Sequence, residues 1–266
     1  DPPGYQPHKG DRLENYDPFL DTPLYRSALE GQIRLLDPNR KYPVIGDTHA
    51  GGGLQPIHAE VLTAKYDIGY AGLLEQTLEM PLADAGDEYA LWHRDPNLKS
   101  DTTSPLPVRT EWFPGWHVGV LRGGKRPGHT AFYLNGYGFG SHRHHDTLGI
   151  IYLAFNKEIA SDRGYIWDDP RGAWTRHTLS HNVVTVDGKS QNSESCQSTL
   201  ELFGRGPGIE VIQASADAYK QCDLYRRTCA LIQLSNGRFY TVDLFRVRGG
   251  RTHHFGFHCN GKMSKP

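Results

Sequence analysis

The chain reads as an α+β protein, with helices first and an antiparallel β-sandwich after them. Apolar residues recur at helical spacing through the first hundred residues. Beyond that, short β-rich runs follow one another between turn signals. The 30 glycines and 17 prolines among 266 residues argue against an all-helical chain. The length suffices to bury a sizeable core in one large domain or two modest ones.

The run TPLYRSALEGQIRLLD (22–37) opens on a threonine cap with Pro23 at the first helical position, and Leu24, Ala28, Leu29, Ile33 and Leu36 form one apolar face. The turn-rich KYPVIGDTHAGGGLQP follows. Its triple glycine, Gly51 to Gly53, reads as a flexible turn, because no Gly-Lys-Ser/Thr comes after it to cradle a phosphate. HAEVLTAKYDIGYAGLLEQTLE and LADAGDEYALWHRD are helical in pattern, weakened by Gly69, Gly72 and Gly86. The polar run KSDTTSPLP (99–107) breaks that pattern and divides the chain into domains 1–100 and 101–266. The strands HVGVLR, TAFYLN, GIIYLAF, HNVVTVD, IEVIQA, TCALIQL, FYTVDLFRV and HHFGF then predict a sandwich.

A formal charge of −1 provides no global field for nucleic acid or anionic lipid, so neither is expected as a partner. No apolar run is long enough to span a membrane, and DPPGYQPHKGD lacks an export signal pattern. The four cysteines lack Cys-x-x-Cys spacing, which argues against a zinc ribbon or a redox motif. The first residues, DPPGY, and the last, NGKMSKP, are not finished elements, so the chain is expected to be a piece of a longer polypeptide.

Chemistry concentrates between Ser141 and Val186. His144 precedes GIIYLAF, Asp162 follows that strand and its return turn, and His181 opens HNVVTVD, so three ligands suited to zinc can meet at one sheet edge. The same spacing also fits a solvated histidine-rich loop, a turn aspartate and a core histidine. One histidine of the cluster, such as His142, can transfer protons while others hold a metal, and spacing does not allot those roles. Arg143, Arg163, Arg171 and Arg176 supply planar cations for carboxylates or sulfates. Tyr165, Trp167 and Trp174 offer faces for sugar rings, and Gln191 an amide at the end of DGKSQ.

The motifs HRHHD, DRGYIWDDP, WTRHTLSHNVVTVDGKSQ and DLFRVRGGRTHHFGFH resemble the β-sandwich domain of heparinase II/III-like polysaccharide lyases, including oligoalginate lyases. PVIGDT extends the resemblance weakly into what looks like the end of the family's (α/α) toroid. The resemblance implies a partial toroid followed by the sandwich. It also implies a structural zinc on His144, Asp162 and His181, with the first histidine of His-x-His, His142, facing the cleft. The expected activity is β-elimination on a uronate-containing acidic polysaccharide such as alginate or a glycosaminoglycan, in the periplasm or outside the cell. The toroid part that carries the family's catalytic tyrosine and carboxylate-neutralising residue has no convincing match here, so a second chain supplying those helices is one expected partner. The rival readings are a zinc-stabilised carbohydrate-binding or scaffolding module without catalysis, and a zinc-dependent hydrolase.

Overall fold

The computed structural model describes residues 16–66, 70–99, 109–124, 130–155, 157–192 and 196–260. Gly69, the boundary run 100–107, the first residues and nearly all of NGKMSKP lie outside the described residues. The chain forms an α+β structure of two compact units, Asp1–Ile33 with Gln55–Leu106, and Arg34–Leu54 with Pro107–Pro266.

The first unit holds α1 (Pro18–Asp21), most of α2 (Pro23–Leu35), α3 (Pro56–Lys65), α4 (Tyr70–Leu78) and α5 (Glu88–His93). Side-chain caps set two of the starts: the Asp17 carboxylate accepts from the Phe19 amide at 2.9 Å, and that of Asp87 from the Ala90 amide at 2.9 Å. Ala59, Leu62, Ala71 and Leu74 form its buried centre. Buried Glu60 is paired with Arg94, which also donates to the carbonyls of Leu82 and Ala85.

The second unit is built on antiparallel sheets. β1 (Glu111–Phe113), β2 (Val118–Gly123), β3 (Thr130–Asn135), β4 (Gly149–Ala154) and β5 (Lys157–Ala160) form a meander in chain order. After β6 (Val184–Val186), β7 (Thr199–Gly206), β8 (Ile209–Ser215), β9 (Cys222–Gln233) and β10 (Phe239–Gly249) form a second sheet, and β11 (His253–Phe255) pairs with β6. The core between the sheets contains Leu121, Phe132, Leu134 and Ile150 from one side and Ile212, Tyr225, Cys229 and Leu231 from the other. All eight expected strands are present. β1, β5 and β7 escape the sequence pattern: the first two have three and four residues, and mostly exposed β7 carries Gly204 and Gly206 instead of an alternating apolar set.

The opposite face of the meander packs Val120, Ala131, Tyr133, Ile151 and Leu153 against Leu35 and Val44. This is why residues 34–54 group with the sandwich. The last carbonyls of a helix lack partners of their own. Here Arg122 donates to the carbonyls of Arg34 and Leu36 at 2.8 and 2.7 Å, and the Tyr133 hydroxyl donates to that of Leu35 at 3.0 Å.

Arg227 on β9 is 0% exposed. Its guanidinium grips the Asp243 carboxylate at 2.8 and 2.6 Å and donates to the carbonyls of Leu148 at 2.8 Å and Asn182 at 2.5 Å. Removing one partner of such a pair strands a charge and two carbonyls. Arg227→Met is therefore expected to lower unfolding free energy by about 3 kcal/mol in urea titration. A change within about 0.5 kcal/mol would contradict this role for buried Arg227 and its half-buried partner.

Candidate active site and metal centre

The site forms where the loops at one edge of the sandwich meet the 34–54 segment. Gly46 and Gly164 make the approach possible. Gly46 has φ +55°, and a Cβ there would lie 2.4 Å from the His142 carbonyl oxygen. Gly164 has φ +58°, and its Cβ would meet the Thr48 carbonyl oxygen at 2.2 Å. Only glycine tolerates both the conformation and the contact. The Asp47 amide then donates to the His142 carbonyl at 2.9 Å, and the Tyr165 amide to that of Thr48 at 3.3 Å.

His144 and His181 are each 1% exposed. His144 Nε2 lies 3.0 Å from Asp47 Oδ1, and His181 Nδ1 lies 2.6 Å from Asp162 Oδ2. The other ring nitrogens, His144 Nδ1 and His181 Nε2, are buried without a partner among the described residues, as is Asp146 Oδ1. One ligand atom from each of His144, Asp162 and His181 lies within 4.8 Å of the others, the only such group of metal-ligating types among the described residues. Asn182 fixes the backbone beside His181: its amide nitrogen donates to the carbonyls of Ile150 and Ser161 at 3.0 and 2.8 Å, and its oxygen accepts from the His258 amide at 2.6 Å.

Three carboxylates surround the two buried imidazoles. Burial pushes the Asp146 carboxyl up. Burial opposes ionisation of Asp162 as well, but the charge and hydrogen bond of His181 outweigh it and hold the carboxyl below its usual range. Burial likewise disfavours a charged His181, yet Asp162 and Asp146 raise its pKa. For Asp47, burial is outweighed by hydrogen bonds from His142 and His144, and its pKa is lowered. Asp47 and Asp162 are thus favoured as carboxylates beside the buried imidazoles, a set of ligand types that suits a divalent cation.

His142 lies at the surface, its side chain 79% exposed, with Nδ1 held 2.9 Å from Asp47 Oδ2. Asp47 thus joins the exposed histidine to the buried one. A guanidinium nitrogen of Arg176 lies 3.9 Å from Asp47 Oδ1, and that guanidinium sits 5.9 Å above the Tyr165 ring. Next to Tyr165, Trp167 is 69% exposed and stacks on His49 at 4.2 Å. Trp167 also holds φ +57°, a region that a bulky residue enters only under constraint.

The remaining residues singled out from the sequence are placed differently. Gln191 does not reach the surface. It is 2% exposed, its amide oxygen accepts from the Thr147 amide at 2.9 Å, and its nitrogen donates to the Thr147 carbonyl at 2.8 Å and the Tyr225 hydroxyl at 3.2 Å. Its physical role is to join loop to core, not to contact substrate. Arg171 is exposed and engaged by Asp169 at 2.8 and 2.6 Å. Arg143 turns toward the Asn192 carbonyl at 3.2 Å and Cys196 Sγ at 3.9 Å. Trp174 is half-exposed on α6 (Gly172–Thr175). Sequence reasoning missed Asp47 and His49, both within the turn-rich run after α2. The only signal for Asp47 was the family-like PVIGDT, which ends one residue before His49.

No curated protein matches the sequence. Solved structures do match in fold. A heparinase III gene product superposes with TM-score 0.62 at 15% identity over 91% of this chain and 35% of its own. The heparan sulfate lyase HepC from Pedobacter heparinus superposes with TM-score 0.56 at 14% identity, over 84% of this chain and 32% of its own. A further heparinase III gives TM-score 0.51 at 16% identity, over 85% and 34%. The chain thus spans about a third of the length of these structures. Residues 107–265, more than half of the sequence, match the heparinase II/III-like C-terminal domain, and the chain belongs to that family.

Proposed function

We propose that the chain is the sandwich-bearing part of a polysaccharide lyase that cleaves a uronate-containing acidic glycan by β-elimination. The observation that carries this reading is the His142–Asp47 pair at the surface beside the buried histidine cluster. A carboxylate only accepts, so Asp47 favours the proton on His142 Nδ1 and leaves the Nε2 lone pair on the exposed ring. That lone pair suits His142 to take the C5 proton of a uronate. As the C5–H and C4–O bonds break, a C4–C5 double bond forms, and negative charge builds on the carboxylate and on O4 until O4 is protonated. Arg176, over Tyr165 and near Asp47, is a planar donor suited to that carboxylate. Trp167 on His49, with Tyr165, offers a face for the sugar ring. The acid for O4 and the main carboxylate-neutralising group are assigned to the rest of the toroid, of which α1–α5 are a remnant. A separate chain is one way to supply it.

The buried residues fit a zinc ion: two imidazoles and one carboxylate are its ligand types, and each imidazole keeps a buried nitrogen without a partner. Bound by His144, Asp162 and His181, zinc would supply a fixed charge that ties the site loops together. The family and the likeness to a heparan sulfate lyase support a glycosaminoglycan, with alginate as the alternative acidic polymer. A periplasmic or extracellular location accompanies such substrates.

Protein purified without chelator is expected to hold about one zinc per chain by elemental analysis. The His144→Ala, His181→Ala double variant should lose it, and chelation should lower the melting temperature. Zinc retained by the double variant would refute the ligand assignment.

The chain joined to its helical complement should release unsaturated uronate products, followed in the near ultraviolet. His142→Ala should cut turnover by roughly 10²-fold or more while zinc content and melting temperature hold. Saturated ends would indicate a hydrolase, and no cleavage across an acidic-glycan panel would indicate a binding module. Full activity in His142→Ala would remove that residue from the chemistry.

A further inference from the structure

A shallow cavity of about 430 Å³ opens on the sandwich between β1 and the residues leading into β7, lined by Trp112, His117, Gln197, Ser198 and Asp217 among others. We propose that it is a second saccharide site, separate from the histidine cluster, that takes an uncharged pyranose ring of a glycan chain. The ligand class rests on the reading that this protein handles glycans; the site itself rests on the observations below.

Trp112 supplies the apolar face. Its ring packs toward Gly119, where an added Cβ would come within 3.2 Å of it, and the same side chain lines the cavity. An aromatic face beside polar groups is the usual way a protein holds a sugar ring. His117 and Gln197 form a polar pair with fixed roles. His117 Nδ1 lies 2.7 Å from the Ser198 carbonyl, which only accepts, so the proton sits on Nδ1. His117 Nε2 then accepts from the Gln197 amide nitrogen at 2.6 Å, which leaves the carbonyl oxygen of this exposed glutamine available to a sugar hydroxyl.

Among the described residues the lining includes no lysine or arginine and does include exposed Asp217, while Arg143, which reaches Cys196 Sγ at 3.9 Å, is engaged by the Asn192 carbonyl. A sulfate or uronate would meet repulsion from Asp217, whereas an uncharged ring offers hydroxyls from which a carboxylate and an amide oxygen can both accept. The cavity is in this respect the opposite of the arginine-bearing face near Asp47.

The test is an NMR titration of the zinc-loaded full chain with fully N-acetylated chitotriose, an uncharged trisaccharide, and in parallel with a sulfated heparin tetrasaccharide. Chitotriose is expected to bind weakly and to perturb the amides around Trp112, Gln197 and Ser198. Gln197→Ala and Asp217→Ala, exposed changes that leave the core intact, should each weaken it by about tenfold, the worth of one good hydrogen bond. The sulfated tetrasaccharide should leave these amides unshifted. No chitotriose binding, perturbations confined to the His142 and Trp167 region, or affinity unchanged in both variants would overturn the proposal. The readout needs no turnover, so failure here is distinguishable from failure of the lyase reading.

Discussion

An imidazole buried in protein gives up two hydrogen bonds to water, and whatever replaces them determines how its surroundings are built. His144 and His181 each regain one, from Asp47 and Asp162, and each keeps one buried nitrogen unmet. The loops at this edge of the sandwich hold that arrangement in place. Asn182 ties the His181 backbone to the Ile150 and Ser161 carbonyls, and Arg227 reaches from β9 through the core to the Asn182 carbonyl. Thr178 donates to the His145 carbonyl at 2.7 Å and accepts from the Gln191 amide at 2.8 Å. Packing between the sheets and the geometry of the histidines are therefore one problem. A substitution that loosens Arg227 acts on the same backbone that positions His181.

Asp47 connects this buried arrangement to the surface. It arrives from a segment far earlier in the chain, held because Arg122 and Tyr133 donate to the carbonyls at the end of α2 and just beyond it. Gly46 and Gly164 then let that segment lie against the His142 and Tyr165 loops. One carboxylate thereby orients an exposed imidazole with one oxygen and a buried imidazole with the other. In the proposed chemistry this makes the base and the metal centre mechanically dependent on each other, though their roles differ. His142 and His144 are two residues apart and share Asp47, so a change at Asp47 disturbs both, while a change at either histidine separates them.

The strands that alternate apolar and polar residues, or run apolar throughout, were legible in the sequence because burial imposes that pattern. The edges were not. Lys157–Ala160 and Glu111–Phe113 are too short to show a period, and Thr199–Gly206 is too exposed. HNVVTVD shortened to Val184–Val186, because His181 and Asn182 leave the ladder to serve the site. The histidines and Asp162 stood out because their residue types are uncommon together at strand ends, and the structure brings them within reach of one another. Asp47 lies in a turn-rich run with no periodicity, and nothing in its neighbours reveals a partner about a hundred residues away. Gln191 misled because a polar residue in a polar stretch looks exposed, whereas here its amide replaces backbone hydrogen bonds at the core.

The proposed assignment turns on what meets the two unpaired nitrogens. X-ray absorption at the zinc edge, on protein purified without chelator, addresses this through the ligand shell itself. The account predicts scattering from two imidazoles, with nitrogen at about 2.0–2.1 Å, together with carboxylate or water oxygen at about 2.0–2.2 Å. A sulfur shell at about 2.3 Å would place the metal on the cysteines instead, and a shell without imidazole scattering would contradict the role given to His144 and His181.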